Sequence, residues 1–395
     1  MEFFRNTNID FLGKKWYFLS FSLIFSVAGL LSMLFWHKIP LGVDFRGGTL
    51  VYVKFVQQPN EDQIRASLER AGLRNARIQR YDTASRNEEL VDLPQRSESG
   101  TDATQDRNLA IQALGSGAPA GKLDLNNIGF GTVRDRLVAR DPLHVAPQQY
   151  DAVAHQILDF RDDRQHEGLF RSVDDVRQAG VPAAVVDALQ QDFYTSNFHV
   201  FNAEIVGPQV GQQLRHQAVL ATLYSLLGML IYLWFRFEMI YGVAAVVAVF
   251  HDTLITIGAF SLTNTDITLT VIAAILTLVG YSMNDTIVVF DRIRENIKIM
   301  RRETLGEVVN RSINQTLSRT ILTSGLTFLT VLSLYLFGGE VLHGFSLALV
   351  IGIVIGTYSS IAVAAPMLVA YQDWRAGKTR NTPSPAAQGK VRARA

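Results

Sequence analysis

Six stretches of this chain are apolar, nearly free of Asp, Glu, Lys and Arg, and long enough to cross a bilayer: residues 16–36, 218–235, 240–262, 267–290, 320–337 and 344–371. The first, WYFLSFSLIFSVAGLLSMLFW, carries no charge. At 1.5 Å per residue it reaches about 31 Å, the thickness of a hydrocarbon core. Lipid offers no hydrogen bonds to an exposed backbone, so runs of this kind must be helices. They predict a polytopic α-helical membrane protein with six transmembrane helices. Lys14 and Lys15 precede the first run, as in a signal peptide, but the run exceeds a signal-peptide core and no A-x-A cleavage site follows. It therefore reads as an uncleaved anchor.

The connections assign sides, because Lys and Arg accumulate in cytoplasmic loops. Arg292, Arg294, Lys298, Arg301, Arg302 and Arg311 lie in the 291–318 connection. Arg375, Lys378, Arg380, Lys390, Arg392 and Arg394 lie in the 372–395 tail, and Arg5, Lys14 and Lys15 in the first fifteen residues. All three segments are expected to be cytoplasmic, with Arg236 marking a tight turn between the second and third spans. The loops TNTD (263–266) and GGEVLH (338–343) have neither Lys nor Arg and are expected outside, together with the long polar region after the first span.

Composition excludes several classes. Only 18% of residues are charged, below the roughly 25% usual for soluble domains, and the net charge of +1 gives no basis for nucleic-acid binding. The absence of cysteine removes disulfide and thiolate chemistry. No G-x-x-x-x-G-K-[ST] loop occurs, and the eight His form no metal-ligand pattern. The expectation is a non-enzymatic protein without cofactor or metal.

Within the outer region, GTLVYVKFV (48–56) alternates as a strand, and Asn60 introduces a helix, EDQIRASLERAG, that Gly72 can stop. Strands at 76–82 and 89–94, a helix at 107–114 and a strand at 198–206 complete the order β-α-β-β-α-β. That is the order of a ferredoxin-like split βαβ unit, formed from 38–114 and 197–212. Its last helix and strand are separated by 115–196, which opens with GSGAPAG and repeats apolar residues at helical spacing, Val153, Ile157 and Phe160 among them. This segment reads as a helical insert with a helix-hairpin-helix-like pattern. It is rich in Asp and lies outside the membrane, so a structural or peptide-contacting role is favoured over nucleic acid.

Three spans carry polar groups that lipid should exclude. His251 and Asp252 lie in the third, and Asn284 and Asp285 in the fourth, shortly after Gly280. The fifth begins TLSRTILTSGLTFLT, in which Thr316, Arg319, Thr320, Thr323, Thr327 and Thr330 share a helical face. A membrane threonine can bond its own i−4 carbonyl, and a His can be a quiet interior donor. A lone carboxylate cannot be satisfied by its own carbonyls, so Asp285 requires a cation, a donor or a proton. Arg319 is the nearest candidate cation, because spans four and five are joined by one connection and run antiparallel. A proton on Asp285 would weaken that attraction and change the packing of the two helices. Gly280 offers a point of flexure, and Asp291 beside Arg292 and Arg294 marks the end of the fourth helix.

The motifs GVDFRGGT (42–49), IVGPQVG (205–211), HDTLITIGAF (251–260), GYSMNDTIVVFDRIRE (280–295) and NQTLSRTILTS (314–324) resemble the SecF family of protein-export membrane proteins. The resemblance covers nearly the whole chain. It implies half of a resistance-nodulation-division type bundle, completed by SecD, with a periplasmic ferredoxin-like domain between the first two spans. It also implies a bacterial inner-membrane protein that, with SecD, SecYEG and YajC, uses the proton-motive force to promote preprotein translocation and release. Residue by residue, Asp285 matches the family's intramembrane aspartate and Arg319 its functional arginine, with a further aspartate on SecD. Asn284, Thr316, Thr320, Thr323, His251 and Asp252 stand as supporting polar groups, and Asp44, Gly47, Gly48, Gly207, Pro208, Gly211 and Gly280 as structural motif positions. The 115–196 insert is longer than the family's usual connection, and a chain of six spans requires a separate SecD. Two alternatives stand beside this reading: half of a small-molecule exporter of the same broad fold, and a passive membrane scaffold.

Overall fold

The computed structural model describes residues 7–81, 86–94, 102–115, 117–163 and 168–380. Arg5, Asp82, Ser116, Lys390, Arg392 and Arg394, which entered the sequence reading, lie outside them. The chain divides into two compact units, Met1–Gly42 with His216–Ala395, and Val43–Arg215.

Helix α1 (Lys15–Phe35) is the first span. The segment before it is tied down by two asparagines of the membrane unit. Asn314 accepts from the Ile9 amide at 2.9 Å and donates to the Ile9 carbonyl at 2.8 Å, while Asn310 accepts from the Phe11 amide at 2.8 Å. A side-chain amide thus pairs with backbone as a neighbouring strand would.

The Val43–Arg215 unit starts with the short helix α2 (Val43–Arg46) and strand β1 (Gly48–Phe55), followed by α3 (Glu61–Arg70), β2 (Arg77–Arg80), β3 (Glu88–Pro94) and α4 (Asp102–Leu114). Asn60 caps α3 by accepting from the Asp62 amide, and Gly72 beyond its end takes φ +84°. The insert contributes β4 (Leu123–Asp124), α5 (Phe130–Arg140), α6 (Gln149–Asp162), a 3₁₀ turn over Val173–Ala179, α7 (Ala183–Asp192) and β5 (Phe193–Tyr194). Strand β6 (Phe198–Val206) then returns to the sheet.

The sheet order is β2-β3-β1-β6 with every pair antiparallel, the split βαβ arrangement. Val51, Val53, Ile78, Val91, Leu93 and Val200 point from the sheet toward Ile64 and Leu68 of α3 and Ala110 of α4. The insert has its own core of Leu125, Val133, Leu137, Tyr150, Ile157, Phe170 and Val186. Two adjacent asparagines clasp it to β6. Asn127 Oδ1 accepts from the Val200 amide at 2.8 Å and its Nδ2 donates to the Phe198 carbonyl at 3.1 Å. Asn126 Nδ2 donates to the carbonyls of Phe170 and Ser196, both at 2.9 Å. His199 lies buried beneath this clasp against the Asn126 carbonyl.

The membrane unit continues with α8 (Pro208–Arg236), α9 (Met239–Thr263), α10 (Leu269–Ile299), α11 (Leu305–Phe337) and α12 (Glu340–Ser359). The last helix passes through one π segment, Ser360–Ala364, into α13 (Ala365–Arg380). With α1 these make six helices long and apolar enough to cross a membrane. Most of the 291–318 stretch, read from sequence as a connection, is helix. Asp291 lies inside α10, which runs on to Ile299, and a capping box between Thr304 and Glu307 starts α11. Hydropathy drops there, but the helices persist because Asn296 Nδ2 donates to both Ser312 Oγ and Gln315 Oε1 at 2.8 Å.

Close helix packing rests on small residues. A Cβ built on Gly258 of α9 would stand 2.7 Å from the Gly29 Cα of α1. This proximity lets Ser32 Oγ reach Ser261 Oγ at 2.8 Å and His37 Nδ1 reach the Ser261 carbonyl at 2.9 Å. Beyond α1, Ile267 pairs with Leu41 and accepts from the Gly42 amide at 2.8 Å.

Two outcomes follow from this packing. Gly258→Val forces α1 from α9 and should cost about 1–3 kcal/mol, a fall of several degrees in the thermal midpoint in detergent. Gly228→Val, where no atom lies within 4 Å of the added carbon, should leave the midpoint unchanged. Burial, reinforced by the Arg161 charge, pushes the His199 imidazole down to about 4. A depressed folded value means the unfolded chain takes the proton first, so stability present above about pH 6.5 is lost as pH falls toward 4, by about 3 kcal/mol in total. The protection factor of the Val200 amide, its exchange rate measured against the intrinsic rate at each pH, should fall across that window in the wild type, and His199→Gln should remove that group's contribution.

Candidate functional site

Asp285 lies on the buried seam of α10 with 2% of its surface exposed. Its Oδ2 accepts from Ser324 Oγ of α11 at 2.8 Å. Arg319, expected as its cation, forms no ion pair with it; its side chain is exposed on the chain. Ser324, five residues further along α11, is the residue that hydrogen-bonds this carboxylate, while the Arg319 guanidinium lies close enough to act on it through its charge without direct contact. Arg319 also sits well inside α11, which begins at Leu305, rather than at its start.

The threonine face resolves into local bonds. Thr316 donates to the Ser312 carbonyl at 3.1 Å, Thr323 to Arg319 at 3.0 Å, Thr327 to Thr323 at 2.9 Å and Thr330 to Leu326 at 3.0 Å. Each satisfies its own helix backbone, the ordinary i−4 pattern. Thr320 is the exception, being buried with its hydroxyl unpartnered. The face is therefore a rim and not one wet stripe: Thr316 and Thr320 turn inward, while Arg319, Thr323 and Thr330 are exposed.

Asp252 is the better-held carboxylate. Its Oδ2 accepts from Ser282 Oγ of α10 at 2.6 Å and from Ser359 Oγ of α12 at 2.7 Å. Its Oδ1 faces His251 Nδ1 at 2.9 Å, and His251 Nε2 meets Ser22 Oγ of α1. Four helices thus converge on one His-Asp pair. The approach of α12 is close, since a Cβ on Gly356 would stand 2.9 Å from the Ser282 Cβ. The π segment follows Ser359 directly, an irregularity that recurs at functional positions in helices. Gly280, expected as the flexible point, lies instead within an uninterrupted α10.

Asn284 is exposed and joins neither carboxylate. With Thr270, Ala273, Thr277 and Gly280 it forms an outward stripe of small and polar residues along α10. The motif residues of the other unit do come together. Gly47 and Gly48 take φ +74° and +141° where β1 begins, and a Cβ on Gly211 would stand 3.1 Å from the Gly47 amide. Pro208 opens α8 after Gly207, while Arg46, in the same short helix α2 as Asp44, pairs with Asp92. Among the described residues no three His, Asp or Glu side chains converge as a metal-ligand set.

Sequence reasoning missed Ser282, Ser324 and Ser359, the hydroxyls that meet the two carboxylates, and Ser22, which meets His251. A serine in an apolar run is unremarkable alone, and only helix pairing distinguishes these four.

The comparisons with known proteins agree with this architecture. The family described as protein export membrane protein SecD/SecF, C-terminal, matches residues 185–374, and the SecD/SecF GG motif matches residues 37–59. Protein translocase subunit SecF of Koribacter versatilis is 65% identical over 98% of this chain and 97% of its own length. Its counterpart in Calditerrivibrio nitroreducens is 35% identical over 93% of this chain and 96% of its own length. The crystal structure of SecDF, a translocon-associated membrane protein from Thermus thermophilus, superposes with a TM-score of 0.63 at 31% identity. That match covers 93% of this chain but 39% of the SecDF chain. Nearly full-length identity to curated SecF sequences, matching family motifs and a shared fold place one conclusion beyond doubt: the chain belongs to the SecF family of protein translocase subunits.

Proposed function

We propose that this translocase subunit works as one half of a proton-driven membrane motor whose other half is a separate SecD chain. The carrying observation is the outward stripe of Gly280 and Asn284 on α10, beside exposed Arg319 and Thr323 on α11. Small and polar residues of this kind are characteristic of helix–helix interfaces and poorly suited to lipid. Asp285 lies on the same α10, buried behind that stripe, so a docked helix would complete the shell around a carboxylate that this chain supplies with one hydroxyl. The Thermus chain, named SecDF and more than twice as long, supports a two-part assembly.

In this reading Asp285 takes up and releases a proton, and Arg319 answers the change in charge together with an aspartate on SecD. Ionised, Asp285 holds Ser324 and attracts the guanidinium; neutral, it loosens its hold on α11. The movement serves preprotein release from the SecYEG channel, with YajC as an accessory subunit, in the bacterial inner membrane. Both termini are cytoplasmic and the Val43–Arg215 unit is periplasmic. The end-to-end pairings support that sidedness: residues 7–12 bond to the start of α11, whereas residues 40–42 bond to the α9–α10 connection.

Gly280→Leu tests the interface. No atom lies within 4 Å of the added carbon, so the chain itself should fold normally. Co-purification with SecD should fall by about tenfold, the equivalent of 1.4 kcal/mol, and undiminished recovery would remove the stripe from the interface. Asp285→Asn keeps the shape and the acceptor for Ser324 but cannot ionise. Proton-gradient stimulation of preprotein release should vanish while SecD still co-purifies, and full stimulation would leave the carboxylate a scaffold element only.

A further inference from the structure

The insert clasped to β6 creates a feature that neither the membrane chemistry nor the family motifs use. Two cavities, of about 740 and 660 Å³, share Leu114, Arg171, Thr195, Ser196 and Asn197 as walls and so form one trench. One side is the β1–α3 connection with the first turns of α3. The other is the insert and the Gly117–Pro119 exit from α4. Together they exceed a small-molecule pocket and match an extended segment of several residues.

The chemistry of the trench is unusual for a surface cleft. Gln57, Gln58, Gln63 and Asn197 line it, and their amide side chains form no hydrogen bond within the described residues. The three charged residues that line it are all engaged: Lys122 donates to the Gln190 carbonyl at 2.6 Å, Asp174 accepts from Gln190 Nε2 at 2.8 Å, and Arg171 has a partner of its own. A side-chain amide offers donors and an acceptor in the pattern of a peptide group. The same unit shows that complementarity already realised, since Asn127 pairs with the Phe198 and Val200 backbone as a strand would. A trench lined with free amides recognises backbone rather than side chains, whereas a phosphate polymer would require a cluster of unpaired Lys and Arg.

We infer that this trench between the sheet and the insert binds an extended, unfolded polypeptide segment through its backbone, without selecting its sequence. The clasp keeps the insert fixed as one wall, so the site is preformed and little ordering cost falls on the protein side. The inference rests on the translocase reading, which supplies chains in the unfolded state, but it assigns the contact to a place that the membrane half does not contain.

The test places a photo-reactive residue at Gln58 or Gln63 of the full chain, in membranes with its assembly partners, while a defined polypeptide is arrested in transit. Cross-links to that polypeptide are expected at both positions and for a second polypeptide of unrelated sequence, but not at Arg136 on α5. Asn197→Trp fills the shared floor and should lower the yield about tenfold while the Val200 amide keeps its exchange protection. Cross-links elsewhere on the chain but none at 58 or 63 overturn the trench and leave the translocase reading standing. Cross-links to a folded subunit at 58 overturn the occupant, and strong dependence on polypeptide sequence overturns backbone recognition. An absence of cross-links to the polypeptide at every position tested overturns the reading on which the inference rests.

Discussion

Hydrocarbon supplies no hydrogen bonds, so a carboxylate buried among these helices is costly unless neighbours meet it, and that cost organises the membrane unit. Asp252 shows the requirement fulfilled: Ser282, Ser359 and His251 surround it, and Ser22 completes the chain from α1. The glycine contacts follow from the same demand. Without the close approach of Gly29 to Gly258 and of Gly356 to Ser282, the short serine side chains could not span the gaps between helices. Small residues and buried acids are therefore one arrangement.

Asp285 differs from Asp252 in a way that bears on function. One carboxylate has hydroxyl donors from two helices and an imidazole, and the other has a single hydroxyl from Ser324. A group so sparsely held gains most from a partner chain or a proton, while a saturated group resists both. This asymmetry supports Asp285 as the member that changes state and Asp252 as the one that holds the bundle together.

Much of the outer unit was legible from residues. Alternation in 48–56, the Asn60 cap and Gly72 predicted β1 and α3 closely, because strand pleat and helix capping are local physics. The attachment of the insert was not legible. Asn126 and Asn127 sit in a loop where asparagine is common, and only the return of β6 beside them turns ordinary turn formers into a clasp. In the membrane unit the threonines were ambiguous by nature, since the same hydroxyl bonds its own helix or a neighbour. Gly280 pointed to flexure, yet the irregular backbone is at Ser360–Ala364.

The sequence by itself determined the six spans, the order of strands and helices outside them, and the presence of acids that lipid cannot tolerate. These depend on hydropathy, periodicity and charge, which are properties of residues and their near neighbours. The tertiary structure alone decided which hydroxyl meets which carboxylate, that Arg319 is exposed and makes no direct ion pair with Asp285, and that the insert and sheet enclose a trench of free amides. Those outcomes depend on the rotation and separation of whole helices and strands, set by packing between segments hundreds of residues apart.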